Sequence, residues 1–206
     1  MKRVTIGALC AGLVMAVVAC EPQPPPACGA LTMPPCGVEA PAPDANGVLV
    51  VGDSITWTAY LAGPIGYPFH GYAGWRAGHP IDHVAHTLPR RLVVALGVND
   101  ANVDGWTQGD QDYWALLLAL SEDPVVVLPA VSPWANPTLR AEVDKARAWI
   151  VAQGVKWVDW QDQANDPAIT GPDGIHLAPG PLGLAGISQA GRDARVAVIA
   201  EAAEVP

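Results

Sequence analysis

The sequence predicts an α/β fold, a parallel sheet covered by helices on both sides. Two observations carry this reading. From Gly47 onward, four short apolar runs recur: 48–51, 92–96 (Leu-Val-Val-Ala-Leu), 125–128 (Val-Val-Val-Leu) and 155–158 (Val-Lys-Trp-Val). The 25 to 45 residues between successive runs hold amphipathic helical patterns. Runs that are apolar on both faces and joined by helical crossovers are the mark of a buried parallel sheet.

In chain order, Val48–Val51 runs into Gly52-Asp53-Ser54-Ile55-Thr56, which sets a serine where a strand ends and a helix can begin. The first N–H groups of such a helix have no partner within the helix and face outward. A further strand is expected near Tyr67 to Tyr72, although Pro68 and Gly71 weaken its pattern. The run 92–96 leads to Gly97-Val98-Asn99-Asp100, and a helix follows from about Thr107 to Ser121, with Asp110 three residues after Thr107 as a capping box. After 125–128, Pro137-Thr138 opens a helix whose Leu139, Val143, Ala146 and Ile150 share one face, and Gly154 closes it. After 155–158 comes Asp173-Gly174-Ile175-His176, then a last helix from about Leu184 to Ala203 carrying Ile187, Ala194 and Val198 inward.

The 206 residues, half of them apolar, suit one domain with accessories. A formal charge of −9 with no basic cluster excludes a nucleic-acid partner on electrostatic grounds. Residues 1–19 have Lys2 and Arg3 before an apolar run from Val4 to Val18, the layout of an export signal. The run is shorter than the roughly 20 residues of a spanning helix. Val17-Val18-Ala19-Cys20 resembles a bacterial lipoprotein cleavage box, which implies acylation of Cys20 and a lipid anchor at the membrane of the cell envelope. An ordinary secretory signal is the alternative. Residues 20–46 form a tether: eight prolines fall between 21 and 46, without apolar periodicity. Its Cys28 and Cys36 are expected to pair as a disulfide in an oxidising compartment. The domain proper is 47–206, and it is expected to act as a monomer.

In an open parallel sheet, ligands bind beyond the carboxyl ends of the strands. The residues following three of the runs are Ser54, Asn99-Asp100 and, through a loop, Asp173 and His176. Serine, histidine and aspartate are what hydroxyl activation needs: an imidazole takes the proton, and a carboxylate fixes its tautomer. Asp173 and His176, three residues apart around a glycine, can share one turn. Asn99, the Ser54 N–H and the glycine-rich Gly71-Tyr72-Ala73-Gly74 could supply donors to an oxyanion.

These blocks together resemble the SGNH, or GDSL-type, family of serine esterases and lipases. The resemblance implies Ser54 as nucleophile, Asp173 and His176 as its partners, and Ser54, Gly74 and Asn99 as the oxyanion hole. It also implies a three-layer α/β/α fold with a mostly parallel, flavodoxin-like five-strand sheet, no metal and no organic cofactor. Ala73 stands where the family often has serine. Pro133-Trp134-Ala135-Asn136 and Val158-Asp159-Trp160 add a similarity to the extracytoplasmic SGNH domains of envelope O-acetyltransferases. The expected function is hydrolysis of an acyl or acetyl ester of a small molecule, lipid or polysaccharide. Acyl transfer to an envelope polysaccharide and a catalytically silent glycan-binding lipoprotein are the alternatives.

Asp53 and Asp100 are read as hydrogen-bonding supports, and His79, His83 and His86 as a solvated helix face rather than a metal site. Trp57, Trp75, Trp106 and Trp134 fall near strand ends, where indoles line pockets or pack. Trp149, Trp157 and Trp160 are assigned to the core or its margin.

Overall fold

The computed structural model describes residues 42–44, 46–102, 105–183 and 186–206, all within the compact unit Gly37–Pro206. The export signal, Cys10, Cys20, Cys28 and Cys36 lie outside the described residues.

Five strands pair in parallel: β1 (Val48–Gly52), β2 (Phe69–Gly71), β3 (Arg91–Ala95), β4 (Asp123–Val127) and β5 (Lys156–Val158). Their order is β2-β1-β3-β4-β5. The expected weak strand near Tyr67 to Tyr72 is thus real, and Pro68 is compatible with it because it precedes an edge strand and serves the ladder only as an acceptor, through its carbonyl to Val50 N (2.9 Å).

Alternate residues of the apolar runs feed two cores, one on each face. Val48, Val50, Val93, Ala95, Val125 and Val127 pack with α1 (Ser54–Leu61) and α7 (Gln189–Glu204). Leu49, Val51, Leu92, Val94 and Val126 pack with Val84 of α2 (Ile81–Thr87) and with Trp114 and Leu117 of α4 (Gln108–Leu118). Between them, α3 (Val98–Asn102) follows β3 directly, and α5 (Pro137–Ala152) gives Leu139 and Val143 to one core and Ile150 to the other. The layers are therefore α/β/α. A buried valine truncated to alanine here should cost roughly 1–3 kcal/mol, from lost transfer energy and the cavity left behind.

Three expectations need correction. β5 is an edge strand whose Lys156 and Trp157 face solvent, so Trp157, 45% exposed, is not a core residue; Trp160 is. The last helix starts at Gln189, capped by Ser188 Oγ on Gly191 N (3.0 Å). Gly186, at φ +60°, and Ile187, which bridges β6 (Pro179–Leu182) in antiparallel fashion, keep the chain before it out of the helix. Finally, His79 precedes α2 rather than sharing its face with His83 and His86, because Pro80 occupies the N-cap. A short helix α6 (Gln161–Ala164) completes the element order.

Candidate active site

Ser54 is the first residue of α1, two residues beyond the end of β1. Asp53 caps that helix in an extended conformation, its Oδ1 accepting from Ile55 N at 3.1 Å. Gly52 permits the sharp reversal: a Cβ there would lie 2.8 Å from Thr56 Cβ. The strand-to-helix turn thus fixes Ser54 at the carboxyl edge of the sheet.

Asp173 and His176 arrive on one closed turn. Gly171 N donates to His176 O (2.7 Å), Gly174 N donates to Gly171 O (3.0 Å), and Thr170 bridges Leu177. Asp173 Oδ1 accepts from the N–H groups of Ile175 (2.9 Å) and His176 (3.0 Å), which leaves Oδ2 for His176 Nδ1 at 2.6 Å. On the other side of the imidazole, Nε2 lies 3.0 Å from Ser54 Oγ. With Nδ1–H donating to the carboxylate, Nε2 is the acceptor for the serine hydroxyl. Burial opposes ionisation of Asp173, but the bonds from the His176 ring and the two backbone N–H groups outweigh it and hold the carboxyl below its usual range. Both side chains are about half exposed.

The turn is braced from β4's loop. Gly174, at φ +74°, offers its carbonyl to Ser132 N (2.8 Å), and a Cβ on it would sit 2.7 Å from Ala135 N. Trp134 Nε1 donates to Gly171 O (3.0 Å). The Pro133–Asn136 segment therefore supports the histidine turn.

Because β1 lies between β2 and β3, the loops that follow all three strands meet at one edge. They carry Ser54, Gly74 and Asn99. Asn99 Nδ2 donates to Trp75 O (3.1 Å), tying α3 to the residue after Gly74. That bond uses one of the two amide hydrogens and leaves the second. Among the described residues, the backbone N–H groups of Ser54 and Gly74 donate to no protein acceptor. Gly74 has φ +81°, a conformation that favours glycine. The adjacent Asp100 is buried, and its Oδ1 accepts from Ala77 N (3.0 Å), so consecutive side chains of α3 hold the 75–77 loop.

Beneath Ser54 lies a charged network that sequence reasoning missed. Arg195 of α7, only 3% exposed, donates from Nε (3.0 Å) and Nη2 (2.7 Å) to Thr56 Oγ1, and its guanidinium stacks over Trp160 at 5.0 Å. Burial lowers its pKa to about 10, opposed by the charge of Asp53. Burial likewise raises the Asp53 pKa, opposed chiefly by Arg195. A signal existed: Gly191, Arg195, Val198 and Ala202 share the buried face of α7, so a charge sits on an apolar helical stripe.

Of the remaining aromatics, Trp57 packs against Tyr72 (5.1 Å), Trp75 stacks on His79 (6.0 Å), and Trp106 meets Trp149 (5.8 Å). His70 contacts His83 at 4.0 Å, and its pKa falls to about 4, chiefly by burial and then by the neighbouring ring.

No protein-family model and no curated protein matches the chain. Solved structures do. A psychrotrophic esterase, EstA, from Pseudoalteromonas sp., inhibited by monoethylphosphonate, is 15% identical with a TM-score of 0.56, covering 76% of this chain and 97% of its own. A carbohydrate esterase family 3 protein from Talaromyces cellulolyticus is 18% identical with a TM-score of 0.52, covering 75% and 94%. An acetyl esterase mutant with an acetate ion is also 18% identical, at 0.51 and the same coverage. At these identities the likeness is one of fold, and that fold is the three-layer SGNH hydrolase fold.

Proposed function

We propose that this chain is a serine ester hydrolase that removes a short acyl group, acetyl in the first instance, from a carbohydrate or other alcohol through an acyl-enzyme. The observation that carries the reading is the continuous hydrogen-bonded chain from Ser54 Oγ through His176 to Asp173, 3.0 and 2.6 Å, at the carboxyl edge of the sheet. His176 Nε2 takes the Ser54 proton as Oγ attacks the ester carbonyl, and Asp173 stabilises the imidazolium. The Ser54 N–H, the Gly74 N–H and the spare Asn99 amide hydrogen are the donors available to the oxyanion. His176 then protonates the departing alcohol, and water repeats the sequence to free the acid. The half-exposed His176 and Asp173 leave room for a bulky alcohol portion. The three structural neighbours, each an esterase by name, support the same reading. The export signal and Cys20 would put this activity at the surface of the cell envelope.

The test is covalent labelling by a fluorophosphonate, run beside turnover of p-nitrophenyl esters of increasing chain length. Labelling and turnover should both vanish in Ser54→Ala. Labelling that persists in that variant would assign the nucleophile elsewhere. Supplying polysaccharide oligomers with an acetyl donor separates hydrolysis from transfer: free acetate in excess of new glycan ester supports the hydrolase.

A further inference from the structure

A cavity of about 280 Å³ is lined by Arg76, Gly78, His79, Asp100, Asp110 and Tyr113. We propose that this cavity is a subsite for a neutral sugar ring of the substrate, with Tyr113 as its stacking face and the second carboxyl oxygen of Asp100 as the acceptor that reads a hydroxyl. The proposal rests on the ester-hydrolase reading and deepens it.

The first observation is an unmet acceptor. Asp100 is 1% exposed; its Oδ1 is engaged by Ala77 N, while Oδ2 has no hydrogen-bond partner among the described residues. A buried acceptor left unmade is costly, so the cavity is suited to a ligand that brings a donor. Asp110 differs: its Oδ2 already accepts from Thr107 N (2.8 Å) and Thr107 Oγ1 (2.6 Å). Asp100 is therefore the group with capacity to spare. Burial and the nearby charges of Asp110 and Asp53 bring its carboxyl to about 7, against the pull of the Ala77 N–H and Arg76. A carboxyl that is part protonated near neutrality matches a hydroxyl, which both donates and accepts.

The second observation is the shape of the wall. Tyr113 of α4 is 55% exposed, and its ring lies against Gly78, where a Cβ would approach Cδ1 to 3.3 Å. A pyranose has an apolar C–H face that packs on an aromatic ring and a rim of hydroxyls that needs donors and acceptors. Arg76, which enters no salt bridge among the described residues, supplies donors at that rim. Two carboxyl groups in a chain of formal charge −9 disfavour an anionic glycan, and the Arg76 guanidinium disfavours a bare cation. A neutral, hydroxyl-rich ring is what remains.

Continuity ties the cavity to the reaction. Asp100 follows Asn99 on α3, and Arg76 follows the Trp75 carbonyl that Asn99 holds, so a sugar here shares a wall with the proposed oxyanion hole.

The test is saturation-transfer NMR with xylotriose and cellotriose on the full chain carrying Ser54→Ala. One or both should bind, and adding Tyr113→Ala or Asp100→Asn should weaken binding by about tenfold or more. No binding by either sugar, or equal binding in both double variants, overturns the subsite and leaves a water-filled cavity. Tyr113 is an exposed side chain, so its variant stays informative if Asp100→Asn folds poorly. In the active chain, Tyr113→Ala should lower the ratio of kcat/KM for acetylated xylotriose to that for p-nitrophenyl acetate; an unchanged ratio also counts against the subsite. Turnover of p-nitrophenyl acetate lost in Ser54→Ala tests the esterase reading by itself. Sugar binding without any turnover would sink that reading and keep the subsite.

Discussion

Arg195 spends two of its N–H groups, at 3.0 and 2.7 Å, on the single hydroxyl of Thr56, two residues after Ser54. The last helix of the domain thereby grips the first turn of α1. Removing the hydroxyl in Thr56→Val leaves two N–H groups of a buried guanidinium without their acceptor, which should cost roughly 2–4 kcal/mol of stability. Thr56→Ser keeps the acceptor and should stay within about 1.5 kcal/mol of wild type. Chemical denaturation of the two variants checks the contrast, and equal losses would show that the methyl group, not the hydrogen bonds, matters.

Asn99→Ala removes one proposed oxyanion donor together with the tie to Trp75 O. Turnover of p-nitrophenyl acetate should fall by about 10²–10³ in kcat. A variant with wild-type kcat would remove Asn99 from the oxyanion hole.

Asp173→Asn keeps the size of the side chain but offers an amide where the His176 ring needs an acceptor. The imidazole is then held in the wrong tautomer, and kcat should drop by about 10⁴. Steady-state kinetics decide this, with circular dichroism confirming an intact fold.

The Asp100 carboxyl holds its proton more tightly in the fold, to about 7, than in the unfolded chain, near 3.8. Native protein therefore binds more protons than unfolded protein between those values, and stability must decline as pH rises through that window. Asp100→Asn removes this slope. Its unfolding free energy should gain on the wild type by on the order of 1–4 kcal/mol between pH 4 and 8. Parallel stability curves for the two proteins would show that Asp100 titrates normally.

Gly174 combines a positive φ with a site where an added Cβ would lie only 2.7 Å from Ala135 N. Gly174→Ala should displace the histidine turn, lowering both kcat and stability, the latter by roughly 1–3 kcal/mol. Activity unchanged at reduced stability would mean that the turn tolerates the shift without moving His176.

Much of this was legible in the chain. Val48–Val51, Leu92–Leu96 and Val125–Leu128 announced the central strands because burial on both faces leaves no polar residue in them, and their polar exits pointed to Ser54 and Asn99. The Asp-x-x-His spacing pointed to a shared turn, and the structure closes that turn through Asp173 Oδ1. What stayed hidden depended on position in the sheet or on distant partners. Trp157 looks like a core residue until β5 is known to be an edge. Nothing near Thr56 in the chain shows that its hydroxyl matters until Arg195, 139 residues away, is seen to need it. The early start expected for α7 failed because helical spacing alone ignored Gly186, at φ +60°, and Ser188, whose hydroxyl caps the helix.

Ser54 and His176 touch across 122 residues of chain, one at the first strand exit and the other just before the last helix. Their hydrogen bond closes only after the polypeptide has wrapped the whole sheet, so the reactivity of the serine is a clock for the completion of folding. In a refolding experiment, helical dichroism should recover first and phosphonate reactivity last.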